Sequence, residues 1–452
     1  MSIAALPEEA RVLVGTVEGV SRGEGHLCLH LAALALTSGF AAGYNGTMLE
    51  GVVPRLQFLG LMVEPFELGM LEGAMSLGGL IGSLVCAELS SSISRRALVL
   101  VGESTIASGV LCFAILNPAT APVLYALVGR LTLGMGIGVC GLAKPLIVSE
   151  LAPPLRRGLL VGFFSVGQSI GLNCFYWLDL LMPPPPAAPW AWRVLVAIGA
   201  MPAVATILLV SVFRGSPEYW DVAPRKRGAA ADGDRAPRVL HHMLCEEQPE
   251  IRRNFGLILA LTTGYNLSGT LVITNYASDI LSDSTRRLPI IIGLVQLLGL
   301  ISGSVITDRI GRRPLLLVSC FVTTTSLISL SLLLASTTRE ALDPSRNPVT
   351  LWSLVLLMVT VEFAVGAGLN PGRLLLSAEL MPNAYRGVGM SLGSAMGWMI
   401  ALLSLFWYPI IAAAGGPAPQ FAFFGCVVGA LFLLLAWQLP ETKGISFSAG
   451  LL

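Results

Sequence analysis

Runs of apolar residues recur along the whole chain, near 28–48, 67–88, 97–117, 122–147, 159–182 and 191–213, then near 254–275, 288–308, 313–335, 350–378, 387–412 and 419–438. Each run is close to the ~20 apolar residues that a helix needs to cross a bilayer. In hydrocarbon every backbone N–H and C=O must be bonded within the protein, so only helices and closed barrels span it. These runs are too long and too continuous for barrel strands. The sequence therefore predicts an all-α polytopic membrane protein, with twelve transmembrane helices in two six-helix bundles.

The expected organisation is a cytosolic amino-terminal tail over 1–27, a first bundle over 28–213, a cytosolic linker over 214–253, a second bundle over 254–438 and a cytosolic tail over 439–452. The linker holds eight basic and seven acidic residues, and its Pro, Gly and Ala between 223 and 237 argue for flexibility. The stretch from Val239 to Arg253 is a candidate surface helix. Residues 1–26 bear Glu8, Glu9, Arg11, Glu18, Arg22 and Glu24, unlike a cleaved signal peptide with its basic start and short apolar core.

Only 12% of the 452 residues are charged, against about 25% in soluble domains. The net charge of +1 leaves no basic surplus for nucleic acid. The eight cysteines form no CxxC pair, and none of the four histidines has an acidic partner at ligand spacing. No metal and no cofactor are expected. The partners expected are a small-molecule substrate and membrane lipid, with oligomeric state left open.

Orientation follows from Lys and Arg in the loops. With the amino terminus in the cytosol, nineteen basic residues fall on the cytosolic side and five, Arg55, Arg286, Arg287, Arg339 and Arg346, on the other. Without the long linker the balance is still eleven to five. Both termini inside agrees with an even number of spans. The plasma membrane is the expected location.

The halves repeat a local pattern. Arg95-Arg96 follows the second span, and Asp308-Arg309-Ile310-Gly311-Arg312-Arg313 follows the eighth. Glu150 precedes Arg157 by seven residues, as Glu379 precedes Arg386. Doubled units of three helices suit a rocking-bundle carrier.

These residues resemble the sugar porter branch of the major facilitator superfamily, in which facilitative glucose transporters fall. The resemblance runs from about 35 to 444. It rests on the Asp308–Arg313 loop and on Arg130, Gly134, Gly138, Pro145, Glu150 and Arg157-Gly158. Trp192-Arg193, Pro202, Ser216-Pro217, Glu379, Arg386-Gly387 and Pro440-Glu441-Thr442-Lys443-Gly444 extend it. The resemblance implies alternating-access transport of a hexose or related polar solute. It implies gating roles for Glu150, Arg157, Asp308, Arg309, Arg312, Glu379 and Arg386, as ion pairs at the cytosolic face. The first half departs from the pattern, with Ser91, Ser92 and Ser94 where Asp, Arg and Gly are expected.

The family's sugar-facing groups are largely replaced. Ser165 stands at the fifth-span Gln, Tyr265 and Asn266 at the seventh-span Gln pair, Leu374 at the tenth-span Trp and Gly397 at the eleventh-span Asn. Candidate substrate contacts that remain are Gln168, Tyr265, Asn266, Asn275, Asn45, Trp398 and Arg373. Proton-coupled relatives carry an Asp in the first helix, where Asn45 stands here, which favours uniport. Glu72 and Glu362 are the alternative proton carriers. Lys144 and Arg373, in the inner halves of their spans, motivate an organic-anion cargo as a second reading, with snorkelling to the interface the expectation for Lys144. The emptied sugar site and the serine-rich loop motivate a third, a non-transporting sensor or degenerate paralogue. No nucleophile beside a base, no filter and no phosphate-binding loop argue for a hydrolase, channel or pump.

Overall fold

The computed structural model describes residues 8–58, 64–89, 93–115, 122–151, 157–183, 190–212, 249–281, 287–337, 347–380 and 386–439. The first bundle holds α1 (Glu8–Phe58), α2 (Pro65–Leu89), α3 (Arg95–Ala114), α4 (Pro122–Leu151), α5 (Arg157–Leu181), α6 (Ala191–Ile198) and α7 (Met201–Val212). The second holds α8 (Pro249–Asn266), α9 (Thr270–Leu281), α10 (Leu288–Ile310), α11 (Arg312–Ser336), α12 (Pro348–Ala364), α13 (Asn370–Glu379), α14 (Arg386–Gly415) and α15 (Ala418–Gln438). No strand occurs among the described residues.

Ten segments of the described residues are long and apolar enough to cross a membrane. With α5 and the shorter apolar stretch of α10, they account for the twelve expected spans. Large apolar side chains point outward, among them Val349 at 77%, Leu181 at 74% and Trp437 at 81% exposure. In water such a surface would be a liability; against lipid it is the ordinary one.

Described helix extends across two of the expected boundaries. Backbone from Glu8 onward is helical and continues unbroken into the first span. The only proline within α1 is Pro54, and an established helix propagates readily upstream. The first described helix of the second bundle begins at Pro249, inside the expected linker. Most of the linker lies outside the described residues.

Helices in lipid have no hydrophobic drive to associate, so close backbone packing at small residues takes over. Gly39 and Gly43 of α1 sit on the Phe164 and Gln168 carbonyls of α5, and Gly167 and Gly171 of α5 sit on the Leu36 and Phe40 carbonyls of α1. The same reciprocal arrangement joins Gly78 and Gly82 of α2 to Gly134 and Gly138 of α4. In the second bundle Gly299 and Gly303 of α10 abut the Phe363 and Ala367 backbone.

Three spans are broken. The sixth divides at Gly199-Ala200 between α6 and α7. The seventh divides at Gly269, whose φ of 81° suits a residue without a β-carbon. The tenth passes through a π turn at Val365–Leu369 between α12 and α13. Ser319 of α11 holds that turn, donating to the Ala364 carbonyl at 2.7 Å and accepting from the Leu369 N–H at 3.1 Å. Irregular backbone at membrane depth is tolerated where protein or a cavity satisfies it.

Candidate functional site

The two bundles meet along a seam formed by α1, α2 and α5 on one side and α9, α10 and α14 on the other. Between described residues, four hydrogen bonds cross it. Ser169 Oγ donates to Gln296 Oε1 at 3.4 Å, and Asn173 Nδ2 to the Gly293 carbonyl at 2.9 Å. Tyr176 Oη donates to the Thr274 carbonyl at 2.5 Å, and the Ser278 N–H to Glu50 Oε1 at 3.0 Å. All four lie from the middle of the bundles toward the end remote from both chain termini. Phe66 meets Phe406 edge to face at 5.6 Å on the same side. The structure is therefore shut at the end opposite the termini.

The sequence-selected polar groups divide around this seam. Gln168 is half-buried on α5, beside Ser169 and one turn from Ser165. Asn266 donates to the Thr262 carbonyl at 2.8 Å and faces Gly397 of α14, where a β-carbon would lie 3.2 Å from its amide nitrogen. Asn275 donates to the Leu271 carbonyl at 2.8 Å, and its buried Oδ1 makes no hydrogen bond. The Arg373 guanidinium stacks over the Tyr265 ring at 4.3 Å. Tyr265, Asn266 and Asn275 flank the break in the seventh span, where a kinked backbone frees side chains from regular helical packing.

Two of the selected residues do other work. Asn45 is fully buried, and its Nδ2 donates to the Ala41 and Gly199 carbonyls at 2.9 and 3.0 Å. That amide nitrogen ties α1 to the break in the sixth span, while the buried Oδ1 makes no hydrogen bond. Trp398 packs its ring on Gly79 of α2, where any β-carbon would collide with it. It is a bundle-to-bundle contact, made possible by the small residue opposite.

A central cluster joins Glu362, one of the two alternative proton carriers, to Gln296, which sequence reading missed. Gln296 Nε2 donates to Glu362 Oε2 at 2.8 Å while its Oε1 accepts from Ser169 across the seam. Glu362 is fully buried and its second oxygen has no hydrogen-bond partner. The signal was an isolated amide in the apolar stretch Leu294-Val295-Gln296-Leu297-Leu298. Polar groups in a span are costly and mark pathways or interhelical bonds.

Three other intramembrane cations, Arg130, Lys144 and Arg55, are paired. Arg130 bridges Glu72 Oε2 at 3.0 Å, the Asn45 carbonyl at 2.7 Å and the Leu71 carbonyl at 3.3 Å. Lys144 is fully buried, forms an ion pair with Glu103 and donates to Thr206 Oγ1 at 3.4 Å. It neither snorkels nor offers its charge to an anion, because Glu103 neutralises it from α3. Arg55, expected in an outer loop, is inside α1 and paired with Asp179 of α5.

Of the expected gating residues, Arg312 is half-buried at the start of α11. Its neighbour Arg313 donates to the Ala436 carbonyl at 2.8 Å in the last turn of α15, where a cation complements the helix dipole. The side chains of Glu150, Arg157, Asp308, Arg309, Glu379 and Arg386 lie outside the described residues.

Comparison with known proteins places this geometry. The family model "Sugar (and other) transporter" matches residues 31–449. Myo-inositol transporter 1A of Cryptococcus neoformans is 25% identical, over 92% of this chain and 79% of its own. The mouse "Solute carrier family 2, facilitated glucose transporter member 10" is 25% identical over 92% of each chain. Among solved structures, the inward open conformation of the xylose transporter XylE from E. coli superposes with a TM-score of 0.74 at 20% identity. That match covers 94% of this chain and 99% of the other.

Proposed function

Because the chain belongs to the sugar (and other) transporter family, we propose that it carries a hexose or related polyol by uniport, exposing its central seam to one side of the membrane at a time. It is a multi-pass transporter of the major facilitator fold and not an enzyme. Relatives named for myo-inositol, glucose and polyols support a polyhydroxylated cargo.

One observation carries the reading: polar groups of the two bundles meet at Ser169 and Gln296, at the seam rather than within either bundle. Sugars need amides and hydroxyls arriving from several directions. Gln168, Gln296, Asn266 and Asn275 supply the amides, and Tyr265 supplies an aromatic face. Asn45 supports uniport, since an amide does not exchange a proton at physiological pH. With the termini in the cytosol of a plasma-membrane protein, this structure is the inward-facing one. The ion pairs expected of Glu150, Arg157, Asp308, Arg309, Glu379 and Arg386 would then close the opposite face, with Arg312 beside them.

The test is uptake of labelled hexoses, inositol and small organic anions by liposomes holding the purified protein, with and without a pH gradient. Saturable hexose or polyol flux that proceeds without a gradient is expected. Gln296→Leu should raise the half-saturation concentration about tenfold, the loss of one hydrogen-bonding group. A second reading, an anionic cargo, is favoured by Arg373 at the seam. Anion flux lost in Arg373→Leu would establish it and remove the neutral-sugar assignment.

A further inference from the structure

Two carboxylates described inside the bundles have no Lys or Arg partner: Glu50, which is partly exposed and accepts from the Ser278 N–H, and Glu362, which is fully buried. Glu72, Glu103 and Asp179 each have a Lys or Arg partner within the same bundle. Glu362 is fully buried, accepts one hydrogen bond from the Gln296 amide and leaves Oε1 without a partner. Tyr176 on α5 and Tyr265 on α8 lie near enough to feel its charge, and the Tyr176 hydroxyl is itself bonded to the Thr274 carbonyl. Arg373, on its own span, stacks on the far partner Tyr265. On α11 the only charged residues are Arg312 and Arg313, in its first turn, about two turns before Ser319, which holds the π turn. On α10 the nearest polar neighbour is Gln296 itself.

A carboxylate removed from water without a cation is strongly disfavoured, and taking up a proton relieves the cost. The chain Glu362–Gln296–Ser169 also crosses from one bundle to the other. Opening the seam separates Ser169 from Gln296 and admits water to the carboxyl. Burial without a cation and a bridge across the moving interface are independent observations, and they fall on the same residue.

We propose that Glu362 is a proton-binding positioning residue that acts through Gln296: protonated, it favours the conformation shut at the end opposite the termini, and losing the proton favours opening there. The inference rests on the alternating-access reading above. It deepens that reading by making the conformational balance, rather than the cargo contact, depend on pH. The linkage has a definite sign. The shut state binds the proton more tightly, so raising pH shifts the population toward the open one.

The experiment uses the full chain with its native cysteines replaced, carrying spin labels at Leu181→Cys and Val349→Cys. These exposed positions lie on different bundles at the shut end. Pulsed dipolar spectroscopy across a pH series should show the long-distance population growing as pH rises. In Glu362→Gln, whose amide oxygen still accepts from Gln296 but does not ionise, the populations should stay at the shut distribution at every pH. Glu362→Asp should restore a pH response. Equilibrium exchange of labelled hexose or inositol, at equal pH on both sides, provides the second readout. Glu362→Gln should flatten its pH profile and change the maximal rate, while the half-saturation concentration stays within about twofold. Identical pH responses in the parent and Glu362→Gln would overturn the proposal. So would a loss of affinity at unchanged maximal rate, which would make Glu362 a plain cargo contact. Absence of flux for every solute would overturn the transport assignment alone, because the distance measurement still decides whether Glu362 sets the conformation.

Discussion

The two bundles treat buried charge differently. In the first, every described ion pair is internal: Glu72 with Arg130, Glu103 with Lys144 and Arg55 with Asp179. In the second, Glu362 meets an amide, and Arg373 meets the face of an aromatic ring. A buried pair stripped of one partner is costly, whereas an amide or ring contact is easily exchanged for water or solute. The difference teaches that the described ion pairs lock the first bundle, while Glu362 of the second is held by an amide it can exchange. The breaks follow the same division in part. The sixth span's break is closed by the Asn45 amide, while those of the seventh and tenth spans border the seam.

Substitutions can break or sharpen this contrast. Arg130→Leu, which strands Glu72 among apolar side chains, should cost about 4 kcal/mol and lower the thermal midpoint in detergent steeply. The double variant Glu72→Met with Arg130→Leu should recover most of that loss, since the desolvation cost goes with the pair. If the double variant is as unstable as the single one, the pair is not the source of the effect. Glu103→Leu should cost about 3 kcal/mol by leaving Lys144 with a hydroxyl alone, read by the same melt. Asn45→Ala removes two hydrogen bonds and should cost about 2 kcal/mol, with no change in solute affinity. An affinity loss there would return Asn45 to the cargo site. Smallest is Glu362→Gln, expected to change stability by less than about 1 kcal/mol because the bond from Gln296 survives. A large loss would place Glu362 with the locked charges and erase the contrast between the bundles.

Much of the architecture was legible in advance because a bilayer imposes a simple rule on sequence. Long apolar runs must be helices, and basic loops must alternate in side. Candidate contacts were legible only as a set of polar residues in spans. Gln168, Asn266, Tyr265 and Arg373 were found that way, and the structure keeps them near the breaks and the seam. Asn45 and Trp398 look the same in sequence, yet Asn45 closes a helix break and Trp398 packs on Gly79. Gln296 was overlooked because its neighbours in the chain are all apolar.

By itself the sequence determined how many spans there are and where the halves repeat, because hydrophobicity acts on each segment separately. Which charge neutralises which was settled only in three dimensions. Lys144 and Glu103 are on different helices, and Ser169 and Gln296 are separated by 127 positions. The energy of a buried polar group depends on what stands within hydrogen-bonding distance, and helix packing alone decides that.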